Sequence, residues 1–404
     1  MPMGREIRIV RQDSATSRQV VIVWLVALAI VGLSLLVHLA APSSIHLSEQ
    51  VWSERVAFHH SLLPFQVRPL TNGILDAGHD LLGLPYKTTF FTLQFLLYLV
   101  CLPVFWYYLR TLEFSPAYSL SGMVIFGLML PLFLAHFDPI YTWSDFWVYL
   151  GLPLSFAALI RRRYVLSLLA MALAIVTRET SLLFVPVWFV FAYSANGHKW
   201  LWAAVLAALP VIFATAIRMT SVHAVSVIPT WDFDFNFATG LRASDSLFST
   251  LVSLGFIWVV GLSQTARRTG NPTRHYDLIR AAALFTTAGT VISTLLLTYA
   301  RETRLFVPPV IFLIPLVLVY AKDHSIEVGR LWERTSATVA IPAAIVLLAV
   351  CILAAKLAFP TFEYRPWHDG NWVYLGLHLA LVIVFLLIEF AGGRRVAVSQ
   401  QGKN

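Results

Sequence analysis

The chain has 404 residues, of which 58% are hydrophobic and 12% are charged. The apolar share of soluble domains is about 45 to 50%, so this composition excludes an ordinary soluble protein and predicts a polytopic membrane protein. The net charge of +8 reports membrane orientation rather than a nucleic-acid partner, because Lys and Arg in membrane proteins collect on one side. Both cysteines, Cys101 and Cys351, lie in apolar runs, so no disulfide framework or thiolate metal site is indicated.

The apolar runs predict an all-α fold, a polytopic transmembrane helical bundle of about twelve membrane segments, some of them short. We expect one transmembrane domain over residues 1–404 and no large soluble domain. The first run is long enough to cross a bilayer core and lacks the features of a cleaved signal peptide. The predicted segments are 20–41, 89–109, 119–135, 147–160, 164–176, 181–193, 201–217, 246–264, 281–298, 305–321, 337–358 and 371–390.

This topology places both termini on one side, with tails over residues 1–19 and 391–404. Nineteen of the 29 Lys and Arg residues fall on that side, leaving ten on the other, whereas acidic residues favour the opposite side. By the positive-inside rule the tails are cytoplasmic. The short, loop-poor chain favours the bacterial inner membrane, with the active face periplasmic or extracellular.

The first extracytoplasmic loop, residues 42–88, is too long for a simple connection. Its 70–84 stretch suits an amphipathic helix on the membrane interface. Glu49 and Glu54 are candidate general bases in this loop, although they also suit the polar face of a loop helix. Arg68 is a candidate anion ligand, although a single arginine in a loop is more often only solvated.

The second extracytoplasmic loop, near residues 136–145, contains two further carboxylates. Asp138 is a candidate for acid/base chemistry, but its place before Pro139 also suits a turn or a helix cap. Asp145 is a second candidate in the same loop. Acid/base catalysis needs hydrogen-bond reach to the substrate, which the sequence does not establish.

The sequence Arg-Glu-Thr occurs twice between apolar runs, at Arg178-Glu179-Thr180 and at Arg301-Glu302-Thr303, the second followed by Arg304. Ionisable groups near membrane depth cost about 2.5 to 3.5 kcal/mol each, so they are found mainly in polar cavities or binding sites. Residues 164–193 could form one long tilted helix or two short helices, and the charge bias favours a hairpin of two short helices with Arg178 and Glu179 at its turn. Both copies then face the extracytoplasmic side.

Arginine suits phosphate binding because its forked donors match phosphate oxygens. Arg178, Arg301 and Arg304 are therefore candidate phosphate ligands, and the adjacent Glu179 and Glu302 are candidates to hold them in place. The alternative is that each Arg and Glu form a buried pair that stabilises helix packing only.

A divalent metal is only weakly indicated. Asp232-Phe-Asp234 has the Asp-x-Asp spacing of metal sites in sugar-nucleotide enzymes. However, its alternation of aromatic and polar residues is equally typical of an interfacial aromatic belt. No other cofactor is indicated, and we assign no metal ligands.

The long first loop, the acidic second loop, Thr177-Arg178-Glu179-Thr180 and the later Arg301-Glu302-Thr303-Arg304-Leu305-Phe306 together resemble the C-type (GT-C) superfamily of polytopic membrane glycosyltransferases. The resemblance covers most of the chain as architecture, but its motifs are short. It implies inverting transfer of a sugar from a polyprenyl-phosphate carrier to a lipid or glycan acceptor. Membrane lipids surround the protein as further partners.

On that resemblance Glu54 or Glu49 is the base and Asp138 assists, while the arginines face the lipid phosphate. A transporter or flippase of an anionic lipid is the main alternative, because broken helices with ionisable groups also occur there. A catalytically inactive protein with the same fold is the third.

Overall fold

The structure is a computed structural model that describes most of the chain. It covers residues 17–41, 43–63, 68–135, 142–196, 255–266, 274–297, 303–324, 337–358 and 368–401, with isolated residues between 208 and 250. Within these ranges the regular secondary structure is helical apart from two strands of two residues each. The strands, β1 Leu62–Leu63 and β2 Val225–Ser226, pair in parallel.

The first helices of the described chain include two that belong to the first loop. The α-helices up to residue 196 are α1 Ser17–Ala40, α2 Glu49–Ser61, α3 Pro69–Leu82, α4 Tyr86–Thr111, α5 Pro116–Gly127, α6 Leu130–Phe133, α7 Asp145–Ile160, α8 Tyr164–Thr177 and α9 Val185–Asn196. Further along are α10 Phe256–Ala266, α11 Arg274–Leu297, α12 Val310–Asp323, α13 Ala337–Ala358 and α14 His368–Gln401. Short 3-10 helices cover Ser44–His46, Glu179–Phe184 and Thr303–Phe306.

Several of these helices are long and apolar enough to cross a membrane. Among the described residues there are four such segments: Ser17–Ala40, Tyr86–Thr111, Tyr276–Leu296 and Ile341–Ala358. The helical character and these apolar lengths are compatible with a membrane bundle, as the composition predicts. The number of about twelve segments stays a prediction, as does the orientation.

The helix ends differ from the predicted ones where proline or a cap residue intervenes. The predicted segment 119–135 is divided into two helices: α5 ends at Gly127, and α6 starts at Leu130. The α5 start moves back to Pro116, where the Ser115 hydroxyl accepts a hydrogen bond from the Tyr118 N–H. The predicted start at 305 is instead at Val310, because Pro308 and Pro309 disfavour a continuous helix before them.

The main core lies between α4, α5, α7, α8 and α12. The Val310 to Leu318 part of α12 is buried on every side, which is typical of a helix at the centre of a bundle. The pair α7 and α8 is packed closely at Gly151, where a Cβ atom would lie 2.8 Å from the Ala170 carbonyl oxygen. By contrast, α13 is mostly exposed and lies at the periphery.

A second, smaller core joins the first loop to the bundle. It consists of Trp52, Val56, Leu75, Phe90, Phe91 and Trp143. These residues come from α2, α3 and α4 and from the turn before α7, so the loop helices are packed against the bundle. We refer to the end of the bundle where α2 and α3 lie as the loop end.

Helix α3, the second helix of the first loop, has one face towards the bundle and one away from it. Leu75 is fully buried, whereas Leu81 and Leu82 are 80% and 71% exposed. The helix ends at Gly83, whose φ of 64° is in the left-handed region that glycine adopts without strain. The predicted helix over 70–84 is thus present, with observed ends at Pro69 and Leu82.

Candidate functional site

The first Arg-Glu-Thr sequence lies at a helix break at the loop end. Helix α8 ends at Thr177, and Arg178 has extended backbone angles, φ −158° and ψ 118°. The 3-10 helix Glu179–Phe184 follows and continues into α9. The chain then runs back towards the start of α8. A hydrogen bond shows this: the Trp188 indole N–H on α9 donates to the Ser167 hydroxyl on α8 at 2.7 Å. The break therefore lies at the tip of a hairpin of short helices.

Arg178 forms an ion pair with Asp145 inside the bundle. The Arg178 guanidinium donates to the Asp145 carboxylate, and the two side chains are only 4% and 2% exposed. Asp145 is in the first turn of α7 and Arg178 directly follows the last turn of α8. An anion at a helix N-terminus and a cation at a C-terminus are both favoured by the helix dipoles, so this pair joins two complementary ends.

Glu179 is bound by Arg68 from the first loop. The Arg68 Nε and Nη2 atoms donate to the two carboxylate oxygens of Glu179 at 3.1 and 2.7 Å. This is the two-bond geometry in which arginine holds a carboxylate most strongly. The Arg68 side chain is 9% exposed and that of Glu179 is 28% exposed.

The sequence suggests Glu179 as the partner of Arg178, whereas in the structure Arg178 is paired with Asp145 and Glu179 with Arg68. In extended backbone, successive side chains point to opposite sides. The extended conformation of Arg178 therefore separates its side chain from that of Glu179, and each finds a partner in another segment. Four charged side chains from three segments meet here, two positive and two negative. We call them the charge network: Arg68, Asp145, Arg178 and Glu179.

Among the described residues, the first-loop carboxylates Glu49 and Glu54 have hydrogen-bond partners outside the charge network. Glu49 accepts hydrogen bonds from the backbone N–H groups of Tyr86 and Lys87 at 2.5 and 3.3 Å. It therefore caps the N-terminus of α4, a structural role that the sequence did not suggest. Glu54 lies on the exposed side of α2, where its carboxylate accepts from the Gln50 amide at 3.3 Å.

The second Arg-Glu-Thr sequence is only partly described. Arg301 and Glu302 lie outside the described residues, and so do Asp138 and the Asp232-Phe-Asp234 sequence. The backbone at Thr303 and Arg304 belongs to the 3-10 helix Thr303–Phe306. That 3-10 helix and the 3-10 helix Glu179–Phe184 both contact α11. Within the described ranges, no group of three or more His, Cys, Asp or Glu side chains could hold a metal ion.

The side chains beside the charge network form a second set of contacts that sequence reasoning missed. The Trp143 indole N–H donates to the Asn72 side-chain oxygen at 2.7 Å, and the Trp143 carbonyl oxygen accepts from both Thr71 and Gln94 at 3.1 Å. The Trp143 ring is stacked on His59 with 4.0 Å between ring centroids. The proximity of Trp143 to Asp145 in the sequence was the available signal.

Comparison of this chain with protein families, with curated proteins and with solved structures finds no match.

Proposed function

We propose that this protein is an integral membrane glycosyltransferase that moves a sugar from a polyprenyl-phosphate carrier to an acceptor. One observation is central to the proposal: Arg68 and Glu179 form a two-bond ion pair at a helix break, and Glu179 remains 28% exposed. A guanidinium in this position can exchange its carboxylate partner for a phosphate group of matching geometry. The resemblance to the C-type glycosyltransferases supplies the reaction.

The two arginines of the charge network differ in their suitability as phosphate ligands. Arg178 and Asp145 are almost completely buried together, so exchange there would leave a carboxylate without solvent. Arg68 is paired with the more exposed carboxylate. We therefore assign phosphate binding to Arg68 within the described residues, and a structural role to Arg178. Arg301 and Arg304 remain proposed phosphate ligands on the strength of the sequence.

The proposed reaction is an inverting displacement at the anomeric carbon of the sugar. A base takes the proton of the acceptor hydroxyl as its oxygen bonds to the anomeric carbon. The bond from that carbon to the phosphate oxygen breaks, and the phosphate leaves with the electron pair. Because negative charge grows on the leaving phosphate, a fixed guanidinium such as Arg68 stabilises the transition state more than the ground state.

Glu54 is the better supported of the two first-loop candidates for the base. Glu49 is held by two backbone N–H groups at the start of α4, and this use of its oxygens is structural. Glu54 is exposed and lies one turn after Gln50, to which it is hydrogen-bonded. Asp138 remains a proposed assisting residue from the sequence.

The proposal can be tested with purified protein in lipid nanodiscs and a panel of polyprenyl-phosphate sugars. We expect sugar transfer that is abolished in Glu54→Gln and Arg68→Gln. The matched control is Asp80→Asn, an exposed carboxylate-to-amide change in the same loop, which should retain activity. Transfer that survives in both Glu54→Gln and Arg68→Gln would contradict the proposal. Binding of the donor without turnover would identify an inactive protein with the same fold.

A transporter of an anionic lipid is a second candidate, favoured by the break between α8 and the 3-10 helix Glu179–Phe184. Discontinuous helices with ionisable groups are typical of transporter binding sites. Engineered cysteines at positions 179 and 301 distinguish the two functions, because Glu179 is 28% exposed whereas Arg178 is buried. A transporter should expose them alternately to reagents on each side, whereas an enzyme should expose them from one side only.

A further inference from the structure

The first turn of α3 is attached to one ion pair of the charge network directly and to the other through Trp143. Arg68, at the start of this turn, binds Glu179 directly. Three and four residues later, the side chains of Thr71 and Asn72 bind Trp143, which precedes Asp145 by two residues. One helical turn is thus attached to the two segments that supply Glu179 and Asp145.

The contacts of Asn72 are buried and specific. Asn72 is 3% exposed and Trp143 is 2% exposed. The Asn72 side-chain oxygen accepts from the Trp143 indole N–H at 2.7 Å, while its amide donates to the His59 carbonyl oxygen at 3.4 Å. A buried polar group that loses its partner is costly, so this arrangement strongly favours a single position of the Trp143 ring.

Fixing Trp143 also fixes the backbone that leads into α7. The Trp143 carbonyl oxygen accepts from Thr71 on α3 and from Gln94 on α4, both fully buried. Asp145 follows in the first turn of α7 and reaches Arg178 from there. A small shift of the 142–145 backbone would therefore change the Asp145–Arg178 geometry, and with it the backbone at Arg178 that sets the direction of Glu179.

We infer that Asn72 is a positioning residue: by holding Trp143, it keeps the Asp145–Arg178 pair in register with the Arg68–Glu179 pair. In its effect on ligand binding the inference rests on the proposed anion site at Arg68. Asn72 itself does not contact the ligand. It acts through Trp143 on one side and through the shared first turn of α3 on the other.

The first test measures binding of farnesyl phosphate to the full-length protein in nanodiscs. Asn72→Leu, which removes both hydrogen bonds at similar volume, should weaken binding about tenfold. The matched control is Asp76→Asn on the same helix, which removes the charge from the partly exposed His60–Asp76 contact and should leave binding unchanged. Trp143→Phe, which keeps a ring but lacks the N–H donor, serves if Asn72→Leu does not fold.

The second test separates failure of this inference from failure of the anion site. If wild type does not bind farnesyl phosphate, the proposed anion site is wrong, and a double-mutant cycle still tests Asn72. Asn72→Leu and Glu179→Gln should change the unfolding equilibrium constant non-additively, by about threefold or more. The Asp76→Asn and Glu179→Gln cycle should be additive. Additive behaviour of Asn72→Leu, or unchanged binding by its folded protein, would overturn the inference.

Discussion

The two ion pairs of the charge network have the same chemistry but different surroundings. The side chains of Arg178 and Asp145 are 4% and 2% exposed, whereas those of Arg68 and Glu179 are 9% and 28% exposed. The first pair joins the ends of two packed helices, and the second joins a loop helix to a helix break. Because the Arg68 partner is the more accessible carboxylate, we propose that Arg68 is the arginine that binds phosphate and that Arg178 has a structural role.

Removing the buried carboxylate should have the largest effect. Asp145→Asn removes the carboxylate that is ion-paired with the buried Arg178 guanidinium, which costs about 3 to 5 kcal/mol in the free energy of unfolding. Reversible unfolding in mixed detergent micelles measures this loss. A decrease of under about 1 kcal/mol would show that the pair is hydrated, and the contrast with Arg68 and Glu179 would disappear.

The more exposed pair should contribute less to stability and more to binding. We expect Glu179→Gln to lower the free energy of unfolding by about 1 to 2 kcal/mol, between the values for exposed and buried pairs. Arg68→Gln should cause a similar loss and also prevent binding of a prenyl phosphate. The same unfolding assay, combined with calorimetric titration, tests both. Intact binding by Arg68→Gln would remove the proposed distinction between the pairs.

The two first-loop glutamates provide a comparison of the same kind. Glu49→Gln weakens the cap of α4 and should reduce the free energy of unfolding by about 1 kcal/mol. Glu54→Gln, on the exposed side of α2, should stay within about 0.5 kcal/mol of wild type while abolishing sugar transfer. Thermal unfolding and a transfer assay on both variants are needed. The opposite pattern would exchange their assigned roles.

Replacing both members of the buried pair should have a much smaller effect on stability than removing Asp145 alone. Asp145→Leu combined with Arg178→Met removes two desolvated charges at once, so we expect a free energy of unfolding within about 1 kcal/mol of wild type. A large loss of stability would mean that other partners of these two side chains matter as much as their mutual contact.

Local sequence patterns were sufficient for much of the helical structure. The predicted helix 337–358 coincides with α13, and the predicted 164–176 differs from α8 by one residue. Both apolar runs begin directly after a polar or charged residue, Ser336 and Arg163, so their starts are visible in the local sequence. The apolar run predicts the start of α12 five residues too early, because Pro308 and Pro309 lie within the run and the helix begins only after them.

The pairing of the charged residues could not be predicted in this way. Arg178 and Asp145 are 33 residues apart, and Arg68 and Glu179 are 111 residues apart. No helical or strand periodicity relates residues at such separations, so each was identified as a candidate without its partner. The cap formed by Glu49 was missed for the same reason, since its acceptor role depends on a helix that starts 37 residues later.

These separations also define the order in which the region is completed during synthesis. At about 5 to 20 residues per second, Tyr86 follows Glu49 after about 2 to 7 s, and Trp143 follows Asn72 after about 4 to 14 s. Glu179 follows Arg68 only after about 6 to 22 s. The nascent first loop can therefore close at its base and bind Trp143 while Arg68 still lacks the carboxylate that it holds in the mature protein, so the charge network forms after these two sets of contacts.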